Sequence, residues 1–147
     1  MSGRVLGRRW IVPTAEPIDA NVFTFEADEL CIKAAECAAC GARFHPPRQY
    51  CARCASREMR ARVADPAGKI ETFTIVHQRP PGSLVEPPYT LADVQLRSGE
   101  RFSCVSLDTA GMTIGASVQL RVAAFDTDSG PRAGLVFDLV PEGEANA

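Results

Sequence analysis

The residues best placed to do chemistry are two cysteine pairs, Cys37-Ala38-Ala39-Cys40 and Cys51-Ala52-Arg53-Cys54, separated by ten residues. In a Cys-x-x-Cys turn both thiolates point to one side, so each pair supplies two corners of the tetrahedron that Zn²⁺ prefers, with Zn–S near ~2.3 Å. Gly41, directly after Cys40, permits the sharp backbone turn such a knuckle needs. Four protein ligands fill the coordination sphere, so the expected zinc is structural, not catalytic. The double pair is specific for a metal but weak on which one. A four-thiolate iron site, a redox dithiol and unrelated thiols therefore stay open as alternatives. Cys31 and Cys104 fall outside the pairs on predicted strands and read as small buried apolar residues.

Other chemistry is sparse. The only histidines are His45 and His77, and the sequence has no Gly-x-Ser-x-Gly elbow, phosphate-cradling glycine loop or dinucleotide fingerprint. His77 ends a predicted strand and Asp93 lies inside an apolar one. With no nucleophile nearby, such a pair reads as structural, and no catalytic residue is assigned. From Arg43 to Arg62 there are six arginines against one acid, Glu58, whereas Val63 to Ala147 holds six basic and eleven acidic residues. Four thiolates around Zn²⁺ leave a formal charge of about −2, which some of these arginines offset. The rest suit interaction, with Phe44-His45-Pro46-Pro47-Arg48 as the expected exposed tip and His45 as a surface residue, not a fifth ligand.

The elements that must position these groups are short. The chain has 147 residues and no apolar run near the ~20 that a membrane span requires, and its N-terminus lacks the apolar core of a signal peptide. The expectation is a cytoplasmic protein with no membrane association. Residues 1–21 show no sustained period and read as an irregular arm. Val22–Phe25 and Leu30–Ala34 read as two strands leading into the first cysteine pair, which puts a ribbon at 22–64. Ser56–Val63 is either a short helix or an extended exit, and Asp65-Pro66-Ala67-Gly68 reads as a boundary turn.

Residues 65–147 have a different texture, with five strands predicted at Lys69–Gln78, Tyr89–Arg97, Arg101–Leu107, Ser117–Phe125 and Ala133–Val140 and a short tail after them. Val118, Leu120, Val122 and Ala124 alternate with more polar neighbours, the period-two pattern of a strand with one buried face. Ser98-Gly99 reads as a tight hairpin. Five short strands in so little chain suggest the OB-fold barrel, so the fold class is mainly β, a zinc ribbon followed by a five-stranded OB-fold. The Pro-rich segment Arg79–Pro88 is long for such a fold and reads as an interaction loop presenting Leu84 and Val85, with a plug over the barrel end as the alternative.

The strand Leu30–Ala34, the ribbon with Pro46-Pro47-Arg48 between its pairs, the Gly68-Lys69-Ile70 start and Ile114-Gly115 before an alternating strand are similar in order and type to one family. The chain resembles the rubredoxin-like zinc-ribbon/OB-fold proteins of acyl-CoA metabolism, over roughly Leu30 to Val140. The resemblance implies structural Zn²⁺ on Cys37, Cys40, Cys51 and Cys54. It also implies a non-catalytic subunit that binds a thiolase-like large subunit as a hetero-oligomer, with a hot-dog-fold hydratase as the alternative partner. A coenzyme A thioester would then lie at the partner interface. Many relatives begin with a helix, which residues 1–21 do not suggest.

The rival class is a single-stranded nucleic-acid-binding module, since zinc ribbons and OB-folds both serve it. An acidic barrel with few exposed aromatics disfavours nucleic acid, because stacking platforms need aromatic faces on a positive sheet.

Overall fold

The computed structural model describes residues 16–26 and 29–141. These residues contain nine strands and no helix: β1 (Phe23–Glu26), β2 (Glu29–Cys37), β3 (Arg43–Phe44), β4 (Met59–Ala64), β5 (Ala67–Val76), β6 (Tyr89–Leu96), β7 (Arg101–Ser106), β8 (Ser117–Thr127) and β9 (Gly130–Leu139). β2 is the centre of the first sheet, pairing antiparallel with β1, β3 and β4. The other five strands close a barrel in the order β5-β6-β7-β9-β8, all antiparallel except β7 with β9. This is the five-stranded OB arrangement expected from the strand count.

Strand polarity follows the sequence pattern. Thr90, Ala92, Val94 and Leu96 of β6 are buried, while Leu91, Asp93 and Gln95 between them are exposed. The same alternation holds for Val118, Leu120 and Val122 in β8, but it breaks after Val122, where Ala123 and Phe125 are buried and Ala124 is only half-buried. The expected inward Ala124 is thus corrected. Both faces of the β8–β9 hairpin are covered here, one by Phe23 of β1 and the other by Val85 and Tyr89.

Two further expectations change. The turn expected at 65–68 is shortened to Asp65-Pro66, with the Ala67 amide donating to Asp65 Oδ1 at 2.9 Å, because β4 ends at Ala64 and β5 begins at Ala67. Gly68 lies inside β5, where a Cβ would meet the Gln95 carbonyl oxygen at 2.4 Å. That close approach explains a glycine at the start of the barrel. Ser56–Val63 resolves as an extended exit, with β4 pairing along β2 from Cys37↔Met59 to Ile32↔Ala64.

The two sheets share one core. Ile32, Ala34 and Ala64 of the ribbon sheet pack in the same cluster as Ile70, Val94, Leu96, Leu120 and Phe137 of the barrel. Of the arm, residues 1–15 lie outside the described residues. The remainder runs alongside β9: Pro17 forms a parallel bridge with Ala133, Ala133 donates its N–H to the Glu16 carbonyl at 2.9 Å, and Ile18 donates to the Ala133 carbonyl at 2.8 Å. Gly134 makes room there, since a Cβ would press on the Phe125 ring at 2.8 Å and on Ile18 at 3.1 Å.

The loop 79–88 folds back instead of projecting. Val85 is buried against Tyr89, Phe125 and Val136, and Leu84 is half-buried beside it. Arg79 pairs with Glu86 at 3.1 Å and donates to the Ser83 carbonyl at 3.0 Å, which ties the loop to itself. The plug arrangement therefore replaces the expected projecting loop.

Candidate metal centre and the joint behind it

β2 delivers Cys37 at its C-terminal end, and the two turns that follow repeat one geometry. The Gly41 amide donates to the Cys37 carbonyl and the Ala55 amide to the Cys51 carbonyl, both at 2.9 Å. The Cys37 amide donates to the Ala42 carbonyl at 2.8 Å, matched by Cys51 to Ser56 at 2.9 Å. In each knuckle the residue after the second cysteine has positive φ, 78° at Gly41 and 65° at Ala55. At Ala55 this conformation costs about 1–2 kcal/mol, because Cβ crowds the carbonyl. Something outside the knuckle must offset that strain.

The four Sγ atoms lie within 4.8 Å of one another, with Cys37–Cys54 at 3.6 Å and Cys40–Cys51 at 3.5 Å. Amides are aimed at the sulfurs, Cys40 N–H at Cys37 Sγ and both Arg53 and Cys54 N–H at Cys51 Sγ. The Cys40 amide in particular draws the Cys37 thiol down to about 6. A hydrogen bond from the Ser56 amide favours the Cys54 thiolate, but Cys37, burial and the other two thiols outweigh it and push Cys54 up to about 12. Four crowded sulfurs cannot all become thiolates by themselves, and a divalent cation at their centre removes that conflict. The donor set therefore fits a structural metal, with Cys37, Cys40, Cys51 and Cys54 as its holders and no protein-free position for chemistry. Cys31 is half-buried and Cys104 fully buried, its thiol pushed up to about 12 by burial, which leaves it inert.

The knuckle surface is basic. Arg48, Arg53, Arg57 and Arg60 are exposed, with Arg48 over the Phe44 ring at 5.1 Å and Arg57 over the exposed Tyr50 ring at 5.0 Å. The tip is thus formed by Arg48-Gln49-Tyr50. Phe44 is only half-exposed, and His45 is buried, contrary to the surface position expected of it. Phe102 of β7 covers the His45 ring at 4.5 Å between centroids, a tertiary contact that local polarity does not announce.

His45 Nδ1 lies 2.6 Å from the Lys33 carbonyl oxygen. A carbonyl only accepts, so Nδ1 carries the proton and Nε2 is the unprotonated nitrogen of the neutral ring. Burial holds the His45 pKa below its ordinary value. Unfolding at acid pH therefore takes up a proton. The contribution of His45 is fully present above about pH 6.5, the unfolded value, and is lost as pH falls through the lower folded value. Thermal melts between pH 7.5 and 5 are expected to fall more steeply for the natural chain than for His45→Phe, and equal slopes would exclude His45 as the source.

Two other arginines turn inward and join ribbon to barrel. Arg43 donates to Glu36 at 3.2 Å and to the Ser98 carbonyl at 2.5 Å, and Arg62 pairs with Glu36 at 3.2 Å. Glu100, with no exposed surface, receives the Ser98 hydroxyl at 2.5 Å and faces Arg62 at 3.7 Å. The last distance is an ion pair without a hydrogen bond, leaving Arg62 Nε and Glu100 Oε1 unpartnered. The Ser98 hydroxyl also accepts the Asp65 amide at 2.8 Å, so the Ser98-Gly99 hairpin is gripped from both sides.

No catalytic grouping forms around the other candidates. Asp93 is exposed and receives the Ser103 hydroxyl at 2.6 Å. His77 is exposed beyond the end of β5, five residues past Thr72, the partner of Asp93, or about 16 Å along the strand. Among the described residues no helix is long and apolar enough to cross a membrane.

Comparison with known proteins covers the same span. Residues 26–60 match the family model described as the ChsH2 rubredoxin-like zinc ribbon domain, and residues 61–123 match the ChsH2 C-terminal OB-fold domain. The chain is 27% identical over 77 residues to a DUF35 domain-containing scaffold protein of Methanocaldococcus jannaschii, covering 52% of this chain and 55% of that protein. It is 36% identical over 84 residues to a probable enoyl-CoA hydratase alpha subunit of Thermomonospora curvata, covering 55% of this chain and 25% of that protein. The match thus spans about half of the first relative and a quarter of the second. Among solved structures, a chain of the Ltp2-ChsH2(DUF35) aldolase superposes with a TM-score of 0.56 at 25% identity, covering 72% of this chain and 84% of that one.

Proposed function

Because this chain belongs to the ChsH2 family of rubredoxin-like zinc-ribbon and OB-fold proteins, we propose that it is a non-catalytic, zinc-containing subunit that docks on a thiolase-like enzyme and helps shape its acyl-CoA site. The observation that carries this reading is the likeness, over 84% of that chain, to a component of an assembly whose name joins it to an aldolase. Four cysteines would fill the coordination sphere of a bound metal, which supports a structural role for that centre. The basic knuckle with Tyr50 and Arg57 is the natural surface for an acidic face of the partner.

Co-expression with candidate large subunits tests the reading. The expected result is co-elution as a hetero-oligomer, with acyl-CoA turnover seen only when both chains are present. Turnover by the isolated chain would overturn the non-catalytic role. The relative named as a hydratase alpha subunit supports a second partner, a hot-dog-fold hydratase, which the same co-elution experiment distinguishes. The nucleic-acid alternative gains little, because Tyr50 is the only aromatic among the exposed large hydrophobic side chains described.

A further inference from the structure

β7 and β9 meet at a single bridge, Val105↔Val136. Extended backwards, that register would set Ser103 opposite Gly134, yet no pairing forms there, and the strands instead flank a cleft of about 500 Å³. Its walls come from four other places: Ile18 on the arm, Phe23 on β1, His45 and Pro46 at the base of the knuckle, and Leu84 with Val85 from the folded-back loop. Leu91 and Phe102 continue the apolar lining. At about 500 Å³ the cleft has the volume of a small-molecule site.

The charge pattern narrows the ligand. Among the described residues no lysine or arginine lines the cleft, and the one acid there is Asp19. A phosphate or free carboxylate seated here would meet no counter-charge from the described residues, whereas hydrocarbon would be matched by most of the lining. His45 is held neutral by burial with its Nδ1 proton committed to Lys33, so it adds no cation. The cleft is also built, not incidental. Gly134 is the position that admits Ile18 beside Phe125, and the backbone pairing of the arm to Ala133 fixes that wall.

We propose that the β7/β9 cleft is a binding site for an uncharged aliphatic chain, held directly by this chain. The inference rests on the acyl-CoA reading above for its biological ligand, the hydrocarbon end of an acyl thioester, while the phosphates of coenzyme A stay outside the cleft. In such an arrangement the subunit would select the acyl tail and the partner would act on the thioester.

The test uses the isolated full chain and calorimetric titration with decan-1-ol, decanoyl-CoA and coenzyme A alone. The first two are expected to bind and the third not. Leu91, 40% exposed, tolerates change. Leu91→Glu is expected to weaken both alkyl probes about tenfold or more with an unchanged melting temperature, since it puts a charge on an apolar wall. Ser103→Trp, also at an exposed position, should block the cleft by filling it and decides the matter if Leu91→Glu unfolds. The proposal is overturned if neither alkyl probe binds, if coenzyme A alone binds as well as decanoyl-CoA, or if both variants bind like the natural chain. Failure to bind alkyl probes combined with loss of partner co-elution in Leu91→Glu would make the cleft a protein seat and also overturn it. Co-elution of the natural chain with its large subunit is unaffected by any of these results, so the two readings fail separately.

Discussion

Cys37→Ser is expected to abolish stoichiometric zinc binding and to unfold the two knuckles, residues 38–42 and 51–58, while the barrel stays folded. The knuckles have little else to hold them. Between Cys37 and Met59 the only strand is the two-residue β3, and among the buried apolar residues there are only Cys37 and Cys51 themselves. Structural zinc contributes an apparent ~10–16 kcal/mol to small four-ligand sites, far more than such turns could supply, including the strain at Ala55. β2 and β4 have a separate anchor, because Ile32, Ala34 and Ala64 pack into the barrel core. Elemental analysis should give one zinc per natural chain. Hydrogen exchange on the variant should show lost protection in the knuckles and retained protection in β6 and β8. Protected knuckles in a metal-free variant would show that the cysteines are not their staple, and a red iron-bearing protein would reassign the metal.

Glu100→Ala is expected to cost about 2–4 kcal/mol, because it removes the buried acceptor of the Ser98 hydroxyl and one of the two carboxylates that face the half-buried Arg62 guanidinium. Glu36 retains a hold on Arg62 at 3.2 Å, which places the effect towards the lower end. A double-mutant cycle with Arg62→Met separates the pair from general packing. If Glu100→Ala and the double variant are equally unstable, the joint does not depend on the charge pair. A recovery of stability in the double variant would identify the under-compensated Arg62 charge as the cost.

The metal centre was legible because its information is local: two short turns, each with both sulfurs on one side, need no knowledge of the rest of the chain. The barrel strands were legible for the same reason, since alternation at Tyr89–Leu96 and Ser117–Val122 is a property of neighbouring residues. What escaped was set by distant contacts. His45 sits in a polar, Pro-rich stretch and reads as exposed, yet Phe102 closes over it. Glu100 reads as an ordinary hairpin residue, and only the approach of Arg62 and Arg43 reveals a buried joint. Leu84 and Val85 look stranded until the β8–β9 hairpin supplies Phe125 and Val136 to receive Val85. The turn at 65–68 is shorter than its composition suggests for the opposite reason. Its residues are turn formers, but pairing with Leu96 and Val118 draws Gly68 into a strand.

The pairing of Glu16–Ile18 with Ala133 bears on how this molecule keeps company. In a sheet, an uncovered edge is a template on which another chain can pair. Where β7 diverges, β9 would present such an edge, and the chain occupies it with its own backbone, with the Glu16–Arg132 ion pair at the lip. At Ala133 the arm is therefore a form of quarantine: the backbone hydrogen bonds that this stretch of β9 would offer to another chain are used up within the molecule. Recognition along this stretch is left to shape and charge instead of bare backbone.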